Sequence, residues 1–175
     1  MSLSETYTAQ QVIEKLGLVP LPEEGGYYRL FYKDPAIVKR EALGEHGGDR
    51  HYSTSIYYLV TPEEFSGLHA VKSTELFHFY AGDPVEMLQI NSSGELKQFV
   101  LGPDIFKGQS PQVSVDPYVW QGTRLLPGGK WALLGCTVAP GFEFEDFLIH
   151  TRDEFIEMFP QHIEVITPFT RESLR

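Results

Sequence analysis

Cysteine, basic residues and long apolar runs are scarce in this chain, and each scarcity removes a class of protein. Cys136 is the single cysteine among 175 residues. No intramolecular disulfide and no multi-cysteine zinc site can therefore form, and a reducing, cytoplasmic compartment is expected. Cys136 itself reads as a small buried hydrophobe. Lys and Arg number 14 against 24 Asp and Glu, for a formal net charge of −10. That field repels phosphate backbones, and no basic run supplies the footprint that nucleic acid needs. The longest apolar stretches, Ile56–Val60 and Trp131–Leu134, are far below the roughly 18 residues of a membrane helix, so no membrane partner is expected. Glu5, Thr6 and Gln10 occupy the place where the apolar core of a signal peptide would sit. Internal repeats and low-complexity segments are also missing, so residues 1–175 are read as one domain.

What is present reads as a globular, mostly β protein. Hydrophobic residues make up 42% and charged residues 22%, far from the composition of disordered chains. Thr8 followed by Gln11 has capping-box spacing and predicts a helix from about Ala9 to Leu16, stopped by Gly17, with Val12, Ile13 and Leu16 as its apolar stripe. Tyr27 to Tyr32 is aromatic enough for a strand. The segment Ala42 to Asp49 carries Gly44, Gly47 and Gly48 and reads as a mobile surface loop.

From Tyr52 onward, strand signals recur about every ten residues, parted by Thr61-Pro62, Gly82-Asp83-Pro84, Asn91-Ser92-Ser93-Gly94, Gly102-Pro103-Asp104 and Pro127-Gly128-Gly129. That rhythm predicts an antiparallel sandwich or barrel. Val85 to Ile90 and Leu96 to Leu101 form a predicted hairpin, and Trp131 to Val138 reads as a strand covered on both sides. Phe142, Phe144 and Phe147 read as the next strand. Thr151 with Glu154 repeats the capping-box spacing before a second helix that Pro160 ends.

Chemistry concentrates in the block Ser66 to Gly82. His69 and Glu75 are separated by a short turn and can meet if one ends a strand while the other begins the next; Gly82 permits a tight exit turn. A His nitrogen beside a carboxylate suits a general acid/base pair or a divalent first-row metal. His78 shares strand parity with Leu76 and Tyr80, whereas Glu75 runs with Phe77 and Phe79, so a bulge is needed to turn both inward. A pocket role and a structural role for His78 both stay open.

This block resembles the first cupin motif, with His69 at the first His position, Glu75 at the Glu and Gly82 at the closing Gly. Gly108 to Gln121 resembles the second. The segments Pro22–Arg29, Ser53–Leu59, Glu75–Gly82, Val119–Gln121 and Gly135–Phe142 together resemble the Cupin-5 family of domains of unknown function, over about Tyr7 to His150. The resemblance implies a cupin double-stranded β-helix, a jelly-roll barrel with its core at about 26–150 and short helices at both ends, and it implies a homodimer. Relative to the metal-binding pattern, Val71 stands at the second His position and Gln121 at the His of the second motif. His69 and Glu75 are left as a two-ligand set that holds a divalent metal poorly, so a metal-free pocket is the first expectation and a metal on those two residues the alternative.

The function expected from these residues is small-molecule binding. One form is a sugar or sugar-nucleotide isomerase or epimerase, with His69 as base, Glu75 as its partner, and Gln121 and Ser55 orienting hydroxyls. Tyr57, Phe77, Phe79 and Trp120 lie next to motif residues and are the expected pocket wall. Arg29 is a candidate for an anionic substrate group, or for a surface salt bridge. The alternatives are a non-catalytic metabolite-binding module and a metal-dependent enzyme on the same residues.

Overall fold

The computed structural model describes residues 3–173. Its strands are β1 Val19–Pro20, β2 Tyr27–Lys33, β3 Ile37–Val38, β4 Arg50–His51, β5 Thr54–Val60, β6 Ser66–Val71, β7 Thr74–Gly82, β8 Val85–Ile90, β9 Leu96–Leu101, β10 Gln112–Val115, β11 Trp120–Leu125, β12 Ala132–Ala139 and β13 Phe147–Ile149. The helices are α1 Leu3–Thr6, α2 Ala9–Leu16, α3 Arg152–Met158 and α4 Ile163–Ile166. One sheet runs β1-β2-β5-β12-β7-β10, a second runs β13-β6-β11-β8-β9, and β3 with β4 forms a small ribbon. The two large sheets face each other as an antiparallel jelly roll. They are not closed into a continuous barrel; at one margin an isolated bridge joins Leu101 to Ser110.

Strand parity decides which layer each side chain joins. Tyr58, Val60, Val71, Phe77, Val85, Met87, Leu134, Cys136 and Val138 alternate inward and form the core between the sheets. The opposite parity of the five-stranded sheet, Leu68, Ala70, Leu88, Ile90 and Trp120, packs on Phe155, Phe159, Ile166 and Phe169 of the C-terminal helical segment. Burying Phe155 and Phe169 almost completely contributes about 1.5–3 kcal/mol each, which holds that segment against the sheet. On the far side, the amphipathic α2 covers Leu59 and Trp131.

The expected capping boxes are formed at both helix starts. Thr8 and Gln11 exchange hydrogen bonds before α2, and Gly17 ends it in the left-handed conformation at φ 63°; Thr151 and Glu154 do the same before α3. The hairpin of β8 and β9 has the expected bounds. Gly82 has a φ of +96°, and a Cβ there would lie 2.3 Å from the Trp131 carbonyl, so only glycine turns this corner.

One expectation is corrected. The Phe142–Phe147 stretch is not a strand throughout: a 3-10 turn spans Phe144–Asp146 and β13 starts only at Phe147. The cause is the buried Asp146, whose carboxylate turns inward to meet Arg50. The Ala42–Asp49 segment lies at the surface as expected, with buried His46 bonding the Leu43 carbonyl at 2.7 Å and Ser73 Oγ at 3.0 Å.

Candidate active site

Between the sheets lies a cavity of about 220 Å³. Leu21, Tyr28, Ile56, Val71, Phe77, Val138, Phe142 and Phe147 supply its largely apolar wall. Lys33 and Glu143, paired at 2.8 Å and both part-exposed, stand at the rim with Phe144. His69, Glu75, Glu24, Tyr58 and Cys136 bring the polar groups.

The floor is built by cross-strand pairing. His69 of β6 lies opposite Gln121 of β11, so the Gln121 amide reaches the imidazole directly. Its Nε2 donates to His69 Nε2 at 2.7 Å and to Glu75 Oε2 at 3.1 Å. His69 Nδ1 donates to the Gly67 carbonyl at 2.7 Å, which fixes the ring with Nε2 turned to the floor. Glu75 begins β7 beyond the Lys72-Ser73 turn, with Oε2 at 4.0 Å from His69 Nε2 and Oε1 accepting from Cys136 Sγ at 3.3 Å.

Burial pushes the Glu75 carboxyl above its ordinary value, opposed by His69 and assisted by the field of Glu24. The same burial drives the Cys136 thiol well up, with Glu75 adding to it. Tyr58 is likewise raised by burial and then by Glu24. Neither thiolate nor phenolate forms near neutral pH, so both groups serve as donors.

Glu24 is the member that sequence reasoning missed. Its Oε2 lies 3.8 Å from His69 Nε2, and Ser66 Oγ donates to its Oε1 at 2.8 Å. The loop that carries it bends sharply, with positive φ at Glu23, Gly25 and Gly26. Its backbone is clipped from behind: Gly67 N and Arg171 Nη1 both donate to the Glu24 carbonyl, at 2.8 and 2.7 Å. The only signal in the sequence is a carboxylate between Pro22 and a Gly-Gly pair, which periodicity cannot place.

The remaining candidates separate by parity. Phe77 lines the cavity, while Phe79 packs against the core without lining it. Trp120 belongs to the layer under the helices, in contact with Phe155 and His150. Ser55, Tyr57, His78 and Arg29 lie on the outer face of the six-stranded sheet: Ser55 bonds Thr137, His78 bonds Gln112 and stacks on Tyr80, and Arg29 sits over the Tyr57 ring. The bulge that β7 does contain falls at Tyr80, between the partners of Leu133 and Leu134. It comes after His78, which therefore keeps the parity opposite to Glu75.

A resident metal does not fit these residues. Val71 offers the cavity an apolar side chain, and the Gln121 amide donates to the very nitrogen lone pair a metal would take. Among the described residues no three His, Cys, Asp or Glu side chains form a metal-holding group.

A facing pair of antiparallel sheets with a His and a Glu on the inner floor defines a cupin-type jelly roll. Residues 10–150 match the Cupin_5 family, described as Cupin superfamily (DUF985), and the chain belongs to that family. It is similar to the uncharacterized protein YML079W of Saccharomyces cerevisiae, 30% identical over 146 residues that cover 78% of this chain and 72% of that protein. A hypothetical protein from Leishmania major superposes with a TM-score of 0.86 at 31% identity, covering 95% of this chain and all of that one. Protein SO0799 from Shewanella oneidensis has a TM-score of 0.86 at 30% identity, covering 95% of this chain and 99% of that one.

Proposed function

We propose that the cavity binds a small molecule and moves a proton on it, in the manner of an isomerase, with His69 and Glu75 as the acid/base pair. The observation that carries this reading is His69 Nε2 held 4.0 Å from Glu75 Oε2 at the floor of an apolar cavity. Burial lets the Glu75 carboxyl keep a proton at a pH where a carboxyl in water has lost it. His69 Nε2, once the Gln121 amide swings aside, takes a proton from one atom of the ligand while Glu75 delivers one to a neighbouring atom. The imidazolium then returns its proton to the Glu75 carboxylate, and both groups are reset.

The wall argues for a ligand with an apolar body in place of a polyhydroxylated sugar, since a sugar needs partners for each hydroxyl. A sugar nucleotide fits less well still, because the one lysine of the cavity is paired with Glu143 at the rim. Deuterium incorporation from D2O into a panel of small oxo and hydroxy compounds, followed by NMR, tests the reading. Incorporation that falls by about 10²–10⁴ in His69→Ala supports it; incorporation at the full rate in that variant removes the base.

A non-catalytic binding module is the second reading. It is favoured by the engagement of His69 Nε2 and both Glu75 oxygens by Gln121 and Cys136, and ligand binding without exchange on any compound is its signature. Either form suits a reducing cytoplasm, given the unpaired Cys136. No helix among the described residues is long and apolar enough to cross a membrane. We also propose a homodimer formed through the outer face of the six-stranded sheet, where Phe31, Tyr32, Leu76 and Tyr80 stand exposed; a two-fold pairing would cover this face. Sedimentation as a monomer at micromolar concentration would exclude it.

A further inference from the structure

Among the described residues the floor of the cavity sets two carboxyl groups against a single imidazole. Glu24 and Glu75 both face the space, and among the described residues the one ionisable nitrogen within 4 Å of either carboxylate is His69 Nε2. That imidazole is already engaged on both nitrogens, by the Gly67 carbonyl and the Gln121 amide. The groups that donate to the carboxylates, Ser66 Oγ, Gln121 Nε2 and Cys136 Sγ, are uncharged. Lys33 is held by Glu143 at the rim, and Arg171 turns its guanidinium to the carbonyls of Glu24 and Phe65 behind the loop.

An ionised carboxyl is costly in this apolar enclosure, which is what raises Glu75 toward its protonated form, and a bound cation beside the pair relieves that cost. Tyr28, Phe77, Phe142 and Phe147 on the wall add ring faces that attract positive charge. The volume of about 220 Å³ accommodates about seven non-hydrogen atoms when each takes the liquid-volume share of a water molecule.

We propose that the ligand of this cavity is a small organic cation, a protonated amine on a short apolar body, whose ammonium group sits between Glu24 and Glu75. Its N–H donors meet the Glu24 and Glu75 oxygens, and its chain lies along the apolar wall. Glu24 is the selective member, since an anionic head group is repelled by both carboxylates. The inference rests on the cavity being the ligand site and adds the charge of what enters it.

Isothermal titration calorimetry at pH 7 with n-hexylamine, 1-hexanol and sodium hexanoate separates the two ideas. The amine is expected to bind at least about tenfold more tightly than the alcohol, equivalent to about 1.4 kcal/mol, and hexanoate more weakly than both. Glu24→Gln brings the amine down to the level of the alcohol. A thermal melt checks that this variant is folded, and Glu75→Gln gives the same reading by a second route. Alcohol or hexanoate binding as tightly as the amine overturns the cation inference and leaves the cavity as the ligand site. An undiminished preference in both folded variants also overturns it. Failure of all three compounds to bind overturns the cation inference and the ligand site together.

Discussion

Replacing Arg50 with methionine is expected to be among the most damaging single changes available to this fold. Arg50 is 1% exposed and Asp146 0%. Their side chains form a two-pronged pair, Nε to Oδ2 at 2.6 Å and Nη2 to Oδ1 at 2.9 Å. Nη1 also donates to the Asp49 carbonyl at 2.8 Å and Nη2 to Glu145 Oε1 at 2.5 Å. Arg50→Met strands the Asp146 carboxylate in the interior with Lys72 Nζ, at 3.7 Å, as its one charged partner among the described residues. Breaking a buried pair from one side costs about 3–5 kcal/mol, against a total stability of about 5–15 kcal/mol for a domain. With a urea slope of about 2 kcal/mol per molar, the unfolding midpoint falls by about 1.5–2.5 M. Adding Asp146→Leu removes the orphaned charge and is expected to recover most of the loss. A fall of under about 1 kcal/mol in the single variant, or a double variant no better than the single, would refute the reasoning.

Two further outcomes can be measured on the same protein. Glu75→Gln is expected to raise the urea midpoint at pH 7–8, because burial lifts the folded-state Glu75 value above the unfolded one. The cost of the buried charge then grows as pH rises through the folded value and disappears below the ordinary 4.5. The gap between variant and wild type should therefore close in acid, and a gap that widens there contradicts the sign. Val71→His combined with Gln121→His supplies two nitrogens beside His69 and Glu75, and about one cobalt per chain is expected by visible absorption and elemental analysis. Wild-type protein binding cobalt as tightly would show that the amide at Gln121 is no obstacle.

Much of the fold is legible along the chain because its signals are local. Capping boxes at Thr8 and Thr151, the glycine corner at Gly82 and the β8–β9 hairpin depend on residues within a few positions of one another. The His69/Glu75 pair is legible for the same reason, since a short turn separates the two strands. Which layer a strand face joins is not local. Trp120 and Phe77 are both aromatic neighbours of motif residues, yet one packs under α3 and the other lines the cavity, and that choice depends on where the C-terminal helices dock. His78, Tyr57 and Ser55 fall on the outer face because β5 and β7 present alternate residues to opposite sides. Glu24 is the hardest to foresee: a loop side chain aimed by three positive-φ residues and a distant arginine leaves no periodic trace.

The Arg171 clip ties the site to the C-terminal segment. The Glu24 carbonyl and the arginine that holds it are 147 positions apart, and that arginine follows directly on the residues packed against the five-stranded sheet. A change that loosens those residues from the sheet would therefore be felt at Glu24, although it touches no wall of the cavity.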